Sequence, residues 1–266
     1  MHILRLYLIL MYAGLRSQLQ YRTNCMILII MGLIWQGTGF VFIWVILSQF
    51  QNLNGWSLGE IAFLYGLRLI VHACSMLFFG IFHRLEALIR RGDFDKFLSS
   101  PVPPLLTFMT YQFPIAACGD LLGGILIFAI ALTRVNVSWS PLACIYLVLA
   151  LIGGCLVETA VKLTVSSLAF RTLSSFFLVS FFDDAMSLAG NYPLTIYGSL
   201  TRFFFTFLLP IAFLAYFPTV VLLHRTGELS VSPVFAFLSP LIGAILFILA
   251  CFLFQRELRY YQSSGH

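Results

Sequence analysis

Charged side chains are scarce in this 266-residue chain, and those that fall inside apolar runs are the first candidates for chemistry. Arg68 and His72 sit on one such run, Asp120 on the next, and Glu158 and Lys162 on a third. In hydrocarbon a charge is costly enough that it either pairs or acts on a solute or a proton. Glu158 and Lys162 are four residues apart with the acid first, the favourable order for a pair on one helix. Arg68 and Asp120 fall at similar depth, so a second pair can join their two runs. In the structural reading both pairs fix helix packing; in the functional one the same residues serve a substrate or proton. His72 has no second histidine or cysteine at ligand spacing, so it reads as a packed polar residue and no metal site is expected.

Enzyme chemistry finds little support. Cys118-Gly119-Asp120 is a fragment of the GxGD pattern of intramembrane aspartyl proteases, but Ala117 replaces the first glycine. No second deep aspartate supplies the carboxyl pair such chemistry needs. Nucleophile-type serine contexts and HExxH are absent. Lys96 and Lys162 are the only lysines, and neither stands in a phosphate-binding GxxxxGK[ST] loop, so any ATPase must be another chain. The six cysteines (Cys25, Cys74, Cys118, Cys144, Cys155, Cys251) show no CxxC spacing and read as small core residues.

The elements that must position these residues follow from composition. With 61% apolar and only 9% charged residues, the chain is an all-α integral membrane protein, because a soluble domain is roughly a quarter charged. Its apolar runs reach the ~20 residues a helix needs to cross hydrocarbon. The net charge of +5 reads as membrane topology rather than nucleic-acid affinity, since the basic residues border those runs. Residues 1–24 lack a cleavage site and place Arg5, Arg16 and Gln20 opposite Leu4, Leu8, Met11, Leu15 and Leu19, the pattern of a helix lying in the interface. Spans are expected at 25–49, 58–82, 105–132, 141–170, 198–221 and 233–254. The run Leu173–Phe182 is too short to cross and is cut by Asp183-Asp184, so Arg171–Tyr197 is expected to lie at the membrane surface. With both termini inside, only Arg134 and Arg225 fall outside, apart from Arg68 and Lys162 within spans. That bias favours six spans.

The longest polar interruption is Leu85–Pro104, between the second and third spans. It carries Arg90, Arg91, Asp93, Asp95 and Lys96. Gly92 can stop one helix, and Asp93 can cap a second that Pro101 ends. On that short helix Phe94, Phe97 and Leu98 share a face, as docking knobs or as aromatics lying at the headgroup level.

Two stretches, LIRRGDFDKFLSSPVPPL (Leu88–Leu105) and NYPLTIYGSLTRFFFTFLLPIAFLAYFP (Asn191–Pro218), resemble the permease subunits of type-2 ABC exporters. QLQYRTN (Gln18–Asn24) and RELRYYQSSG (Arg256–Gly265) fit the same family, in its subgroup of separate six-span permeases that work beside a second one. The resemblance implies a translocation subunit of a bacterial inner membrane with a cytoplasmic coupling helix at Asp93–Ser99. Phe94 and Phe97 would be its knobs and Arg90, Arg91, Asp95 and Lys96 its rim charges. It implies two copies of an ATPase chain that binds ATP and magnesium, with no cofactor on this chain, and a homo- or heterodimeric second permease. Arg171–Tyr197 would be a second cytoplasmic contact, and Pro218–Pro233 a re-entrant region at the outer face, whose broken helix the prolines Pro210 and Pro218 suit.

Two other classes fit the composition. An ATP-independent secondary transporter or channel would work through Arg68, Asp120, Glu158 and Lys162; a scaffold subunit would tolerate loss of ATP hydrolysis in its partner. Phe203, Phe204, Phe205, Phe207, Phe213 and Phe217 suit an amphiphilic cargo, and lipid-facing positions explain them equally well.

Overall fold

The structure, a computed structural model, describes residues 2–49, 52–80 and 82–262; Met1 and Ser263–Gly265 of the segments named above lie outside them. Among the described residues the chain is helical, with one isolated bridge, Leu53 to Trp56, closing a turn in which Asn54 and Gly55 take φ of 52° and 83°. Helix α1 (His2–Leu19) rests on the bundle through Tyr7, whose hydroxyl donates to Phe78 O, and keeps Leu4, Leu8 and Leu19 exposed. Helix α2 (Arg22–Gln49) follows, then α3 (Leu58–Phe79). A capping box starts α3: Ser57 Oγ accepts from Glu60 N–H, and the Glu60 carboxylate accepts from Ser57 N–H at 2.8 Å. Gly80 ends it at φ 79°, where a Cβ would meet Met109 O at 2.4 Å, so α3 stops short of the expected Phe82.

Helices α4 (Leu85–Arg90) and α5 (Asp95–Leu98) form the polar connection. The third span is not one helix: α6 (Pro104–Met109) and α7 (Ala116–Leu132) are separated by residues 110–115. Pro114 disfavours helical geometry at Phe113 and offers no N–H of its own. Helix α8 (Pro141–Ser167) starts on Pro141 with Ser140 Oγ accepting from Ala143 N–H at 3.1 Å, and runs into α9 (Ala169–Thr172). Helix α10 covers Phe176–Gly190. Then come α11 (Ser199–Phe203), a π-helical turn at Phe204–Leu208, α12 (Tyr216–Leu222), α13 (Pro233–Phe237) and α14 (Ser239–Glu257).

Side-chain contacts fix the direction of each helix. Helices α3 and α8 run parallel, with His72 against Glu158 and Ser75 against Thr159. Helix α14 runs parallel to α8, where a Cβ on Gly243 would meet Gly153 O at 2.3 Å, so only glycine permits that approach. Helix α7 runs antiparallel to α3, as Gly66 packs on Phe128 and Gly124 on Leu69.

Helix α10 overturns one expectation. It begins beside Glu86, passes Lys162 at Asp183, meets Arg68 at Gly190, and leads to Thr195, whose carbonyl accepts from Asn54 Nδ2 at 2.8 Å. Helix α10 together with the segment after it therefore runs the full height of the bundle, antiparallel to α3, and does not lie on a surface. Its 15 residues cover about 22 Å at 1.5 Å each, and Asn191–Tyr197 complete the crossing.

The expected fifth span at 198–221 is correspondingly not a span. From Gly198 the chain descends to Thr206–Pro210, turns, and returns through α12 to Arg225, whose Nη2 donates to Gly55 O at 2.8 Å. Pro210 sits at the turn, and Pro218 lies in the first turn of α12, where its missing N–H costs nothing. The re-entrant region thus begins some twenty residues before the expected Pro218–Pro233. Six passes remain (α2, α3, α6–α7, α8–α9, α10, α14), with the loop at Asn54 marking one end of the bundle and the loop at Asp93 the other. Four of these helices are long and apolar enough to cross a membrane unaided.

Candidate functional site

Midway along the bundle α3, α8 and α10 bring four ionisable groups together. Lys162 Nζ lies 2.8 Å from Glu158 Oε1 on its own helix and 2.8 Å from Asp183 Oδ1 on α10. His72 Nδ1 lies 2.6 Å from the same Glu158 oxygen. Glu158 and Lys162 are completely buried. His72 is thus a hydrogen-bond partner of Glu158 rather than a packed bystander. Its nitrogen and the carboxylates of Glu158 and Asp183 lie within 4.8 Å of one another, a spacing a metal ion could use. The Lys162 ammonium already provides the positive charge there, between both acids.

Arg68 and Asp120 do not meet. Asp120 Oδ1 accepts from Gln36 Nε2 at 2.7 Å, and Tyr65 hydroxyl donates to Gln36 O at 3.3 Å, so that network ties α2, α3 and α7 together. Gln36, a neutral residue on α2, takes the place expected of the arginine. Arg68 is only 2% exposed, yet its Nε and Nη2 have no hydrogen-bond partner. It faces a polar cavity of about 160 Å³ whose wall also includes Trp35, Gln36, His72, Asp183, Asp184 and Ser187. A larger cavity, of about 700 Å³ between α1, α3, α6 and α8, is lined by Leu4, Ile70, Phe78 and Leu151 and is apolar.

At the Asp93 end the polar connection is folded onto the bundle. Gly92 takes φ 70°, and Phe94 N–H closes back on Leu88 O at 3.2 Å. Asp93 does not cap α5; its carboxylate accepts from Lys96 Nζ at 2.5 Å, and the backbone runs helically through Phe94. Phe94 and Phe97 are not outward knobs. Phe94 is fully buried, with ring centroids 5.2 Å from Phe170 and 5.3 Å from both Phe97 and Tyr261, and Phe97 packs on Tyr111 at 5.3 Å. The aromatic face was legible, but α6, α9 and the C-terminal segment cover it. What remains outside is Arg90, Arg91, Asp95, Lys96 and Leu98, the last 43% exposed.

Two contacts tie this connection to the spans. Tyr261 hydroxyl donates to Asp95 Oδ1 at 2.7 Å. Glu86 Oε2 accepts from Ser175 N–H at 2.7 Å and Phe176 N–H at 2.6 Å, capping α10 from another element. Burial works against the Glu86 charge, but those two N–H groups and Arg90 outweigh it and hold its pKa below the ordinary glutamate value. Beside it a groove of about 460 Å³ is lined by His83, Glu86, Ala87, Arg90, Arg91 and Phe176.

Among known proteins, a family model described as an ABC-2 family transporter protein matches residues 33–265. No curated protein and no solved structure matches. The match takes in the later part of α2, every pass after it, the polar connection and the re-entrant segment, and families of this kind are membrane components of transport rather than catalysts. The chain belongs to the ABC-2 transporter family and is a multi-pass membrane permease.

Proposed function

We propose that the chain forms the translocation path of an ABC exporter and is driven by a separate ATPase that docks on its Asp93 end. The observation that carries this reading is the folded connection Leu85–Leu98, which presents Arg90, Arg91, Asp95, Lys96 and Leu98 beside a polar groove while Glu86 clamps it to α10. A push on that face reaches a membrane span through two hydrogen bonds, and α10 carries Asp183 into the buried charge cluster. Two ATPase copies, holding ATP and magnesium, and a second permease chain complete the complex. The Asp93 end and both termini are cytoplasmic in a bacterial inner membrane, because the basic residues concentrate there.

The buried charges favour a second reading, an ATP-independent transporter that moves protons or ions through His72, Glu158, Lys162 and Asp183. One measurement separates the two. The candidate ATPase is purified with and without this chain in lipid, and the double variant Arg91→Glu, Leu98→Asp is compared with wild type. Exporter function predicts ATPase stimulation by the wild type and loss of association in the variant at unchanged thermal stability. Solute movement down an ion gradient by this chain alone would refute it.

A further inference from the structure

The about 160 Å³ polar cavity between α2, α3 and α10 has space for about five waters at ~30 Å³ each, or one small polar group. Its walls are unlike those of a structural void. Arg68 is buried to 2% exposure with Nε and Nη2 unpartnered, a costly arrangement unless something else supplies the acceptors. Its stem lies against Gly190, at 3.6 Å from the position of a Cβ there, which holds the guanidinium between α3 and α10. No acid makes an ion pair with Arg68 among the described residues: Asp120 is taken by Gln36 and Asp183 by Lys162.

Charge balance narrows what could enter. Glu158 already has Lys162 and His72 as partners, and Asp183 has Lys162 and His83, so the acids of the neighbouring cluster are occupied. A purely anionic guest would satisfy Arg68 and leave the Asp184 carboxylate in the same wall unanswered. Asp184, exposed on α10 and lining the same cavity, has no ion-pair partner among the described residues and can receive a cation. We propose that the cavity holds the zwitterionic head of the transported molecule, its anionic group on Arg68 and its cationic group beside Asp184. This rests on the reading of the chain as a translocation subunit. A free small zwitterion and a lipid with a zwitterionic headgroup share this chemistry.

The test measures saturable binding to the purified chain in nanodiscs of anionic lipid, so that its failure is separate from any failure to stimulate an ATPase. The probes are dodecylphosphocholine, dodecyl phosphate, dodecyltrimethylammonium and tail-free phosphocholine. Wild type is expected to bind dodecylphosphocholine at least tenfold more tightly than either singly charged probe. Arg68→Met should lose that binding at least tenfold while the melting temperature without probe stays level or rises, because an unpaired buried charge has been removed. Asp184→Asn should weaken the zwitterion and tighten dodecyl phosphate. Competition by tail-free phosphocholine assigns a free solute, and binding only with the tail assigns a lipid. Equal or tighter binding of dodecyl phosphate to wild type overturns the proposal. So does binding to Arg68→Met within twofold of wild type, or a fall in its melting temperature, which marks Arg68 as structural.

Discussion

Lys162 is the side chain on which the middle of the bundle depends, because one ammonium answers two carboxylates from different helices. Removing it leaves the buried Glu158 carboxylate with His72 alone and Asp183 with His83 alone. Lys162→Met should therefore destabilise the chain by ~3–5 kcal/mol, the usual cost of breaking a buried pair from one side. Adding Glu158→Gln and Asp183→Asn should recover most of that loss, since neutral groups of the same shape need no counter-charge. Thermal unfolding in detergent of the single and triple variants checks both, and a triple variant weaker than the single one would argue against the pairing. At this scale the Glu158–Lys162 spacing could be read from the chain, whereas His72 and Asp183 join them only through tertiary packing. The one trace of Asp183 in the sequence was the break it makes in an apolar run, and that break pointed the wrong way. A charge can interrupt a span because it reaches a partner inside the protein, not water outside it.

Among the elements, the connection Leu85–Leu98 shows why a helical wheel cannot say what covers a face. Spacing puts Phe94, Phe97 and Leu98 on one face, yet Phe94 and Phe97 serve as an internal staple and Leu98 is left outside. With Phe170, Tyr261 and Tyr111 around them, the two rings join α5 to α9, the C-terminal segment and the residues after α6. Phe94→Ala should consequently cost ~3–5 kcal/mol through the cavity it leaves. ATPase association would fall with the folded fraction rather than at full stability, the opposite of what an interface anchor does. Limited proteolysis at the Arg90-Arg91 pair, compared between wild type and Phe94→Ala, reads the loosening directly; an unchanged cleavage rate with lost ATPase binding would restore the ring to the interface. Turn chemistry in this element was more legible than its packing. Gly92 does take a positive φ where the helix stops, because that geometry is local.

For the molecule as a whole, the structure puts α10 through the bundle where a pass at Gly198–Val221 is expected from the sequence. Hydropathy favoured Gly198–Val221 over Leu173–Leu188 because the former is longer and less interrupted, and the positive-inside pattern reinforced that choice through Arg202. Two compensating facts were invisible: α10 is short because Asn191–Tyr197 finish its crossing, and the longer segment turns back at Leu209-Pro210. Backbone without regular hydrogen bonds is tolerable at membrane depth when protein surrounds it, and Leu209, Ile211, Ala212, Phe213 and Leu214 are all buried. Moving Arg202 to the Asn54 end still leaves Arg5, Arg16, Arg22, Arg84, Arg90, Arg91, Lys96, Arg171, Arg256 and Arg259 at the other, so the charge bias survives the correction. Ser199 distinguishes the two topologies, since a continuous fifth span would start it on the same side as Arg91. In a chain whose native cysteines are replaced, Ser199→Cys should react with a membrane-impermeant maleimide from the same side as Asn136→Cys, in the loop between α7 and α8. Arg91→Cys should react only after the opposite face is opened. If Ser199→Cys is labelled together with Arg91→Cys, α10 does not cross, and the mechanical link from Glu86 to the buried charges is lost with it.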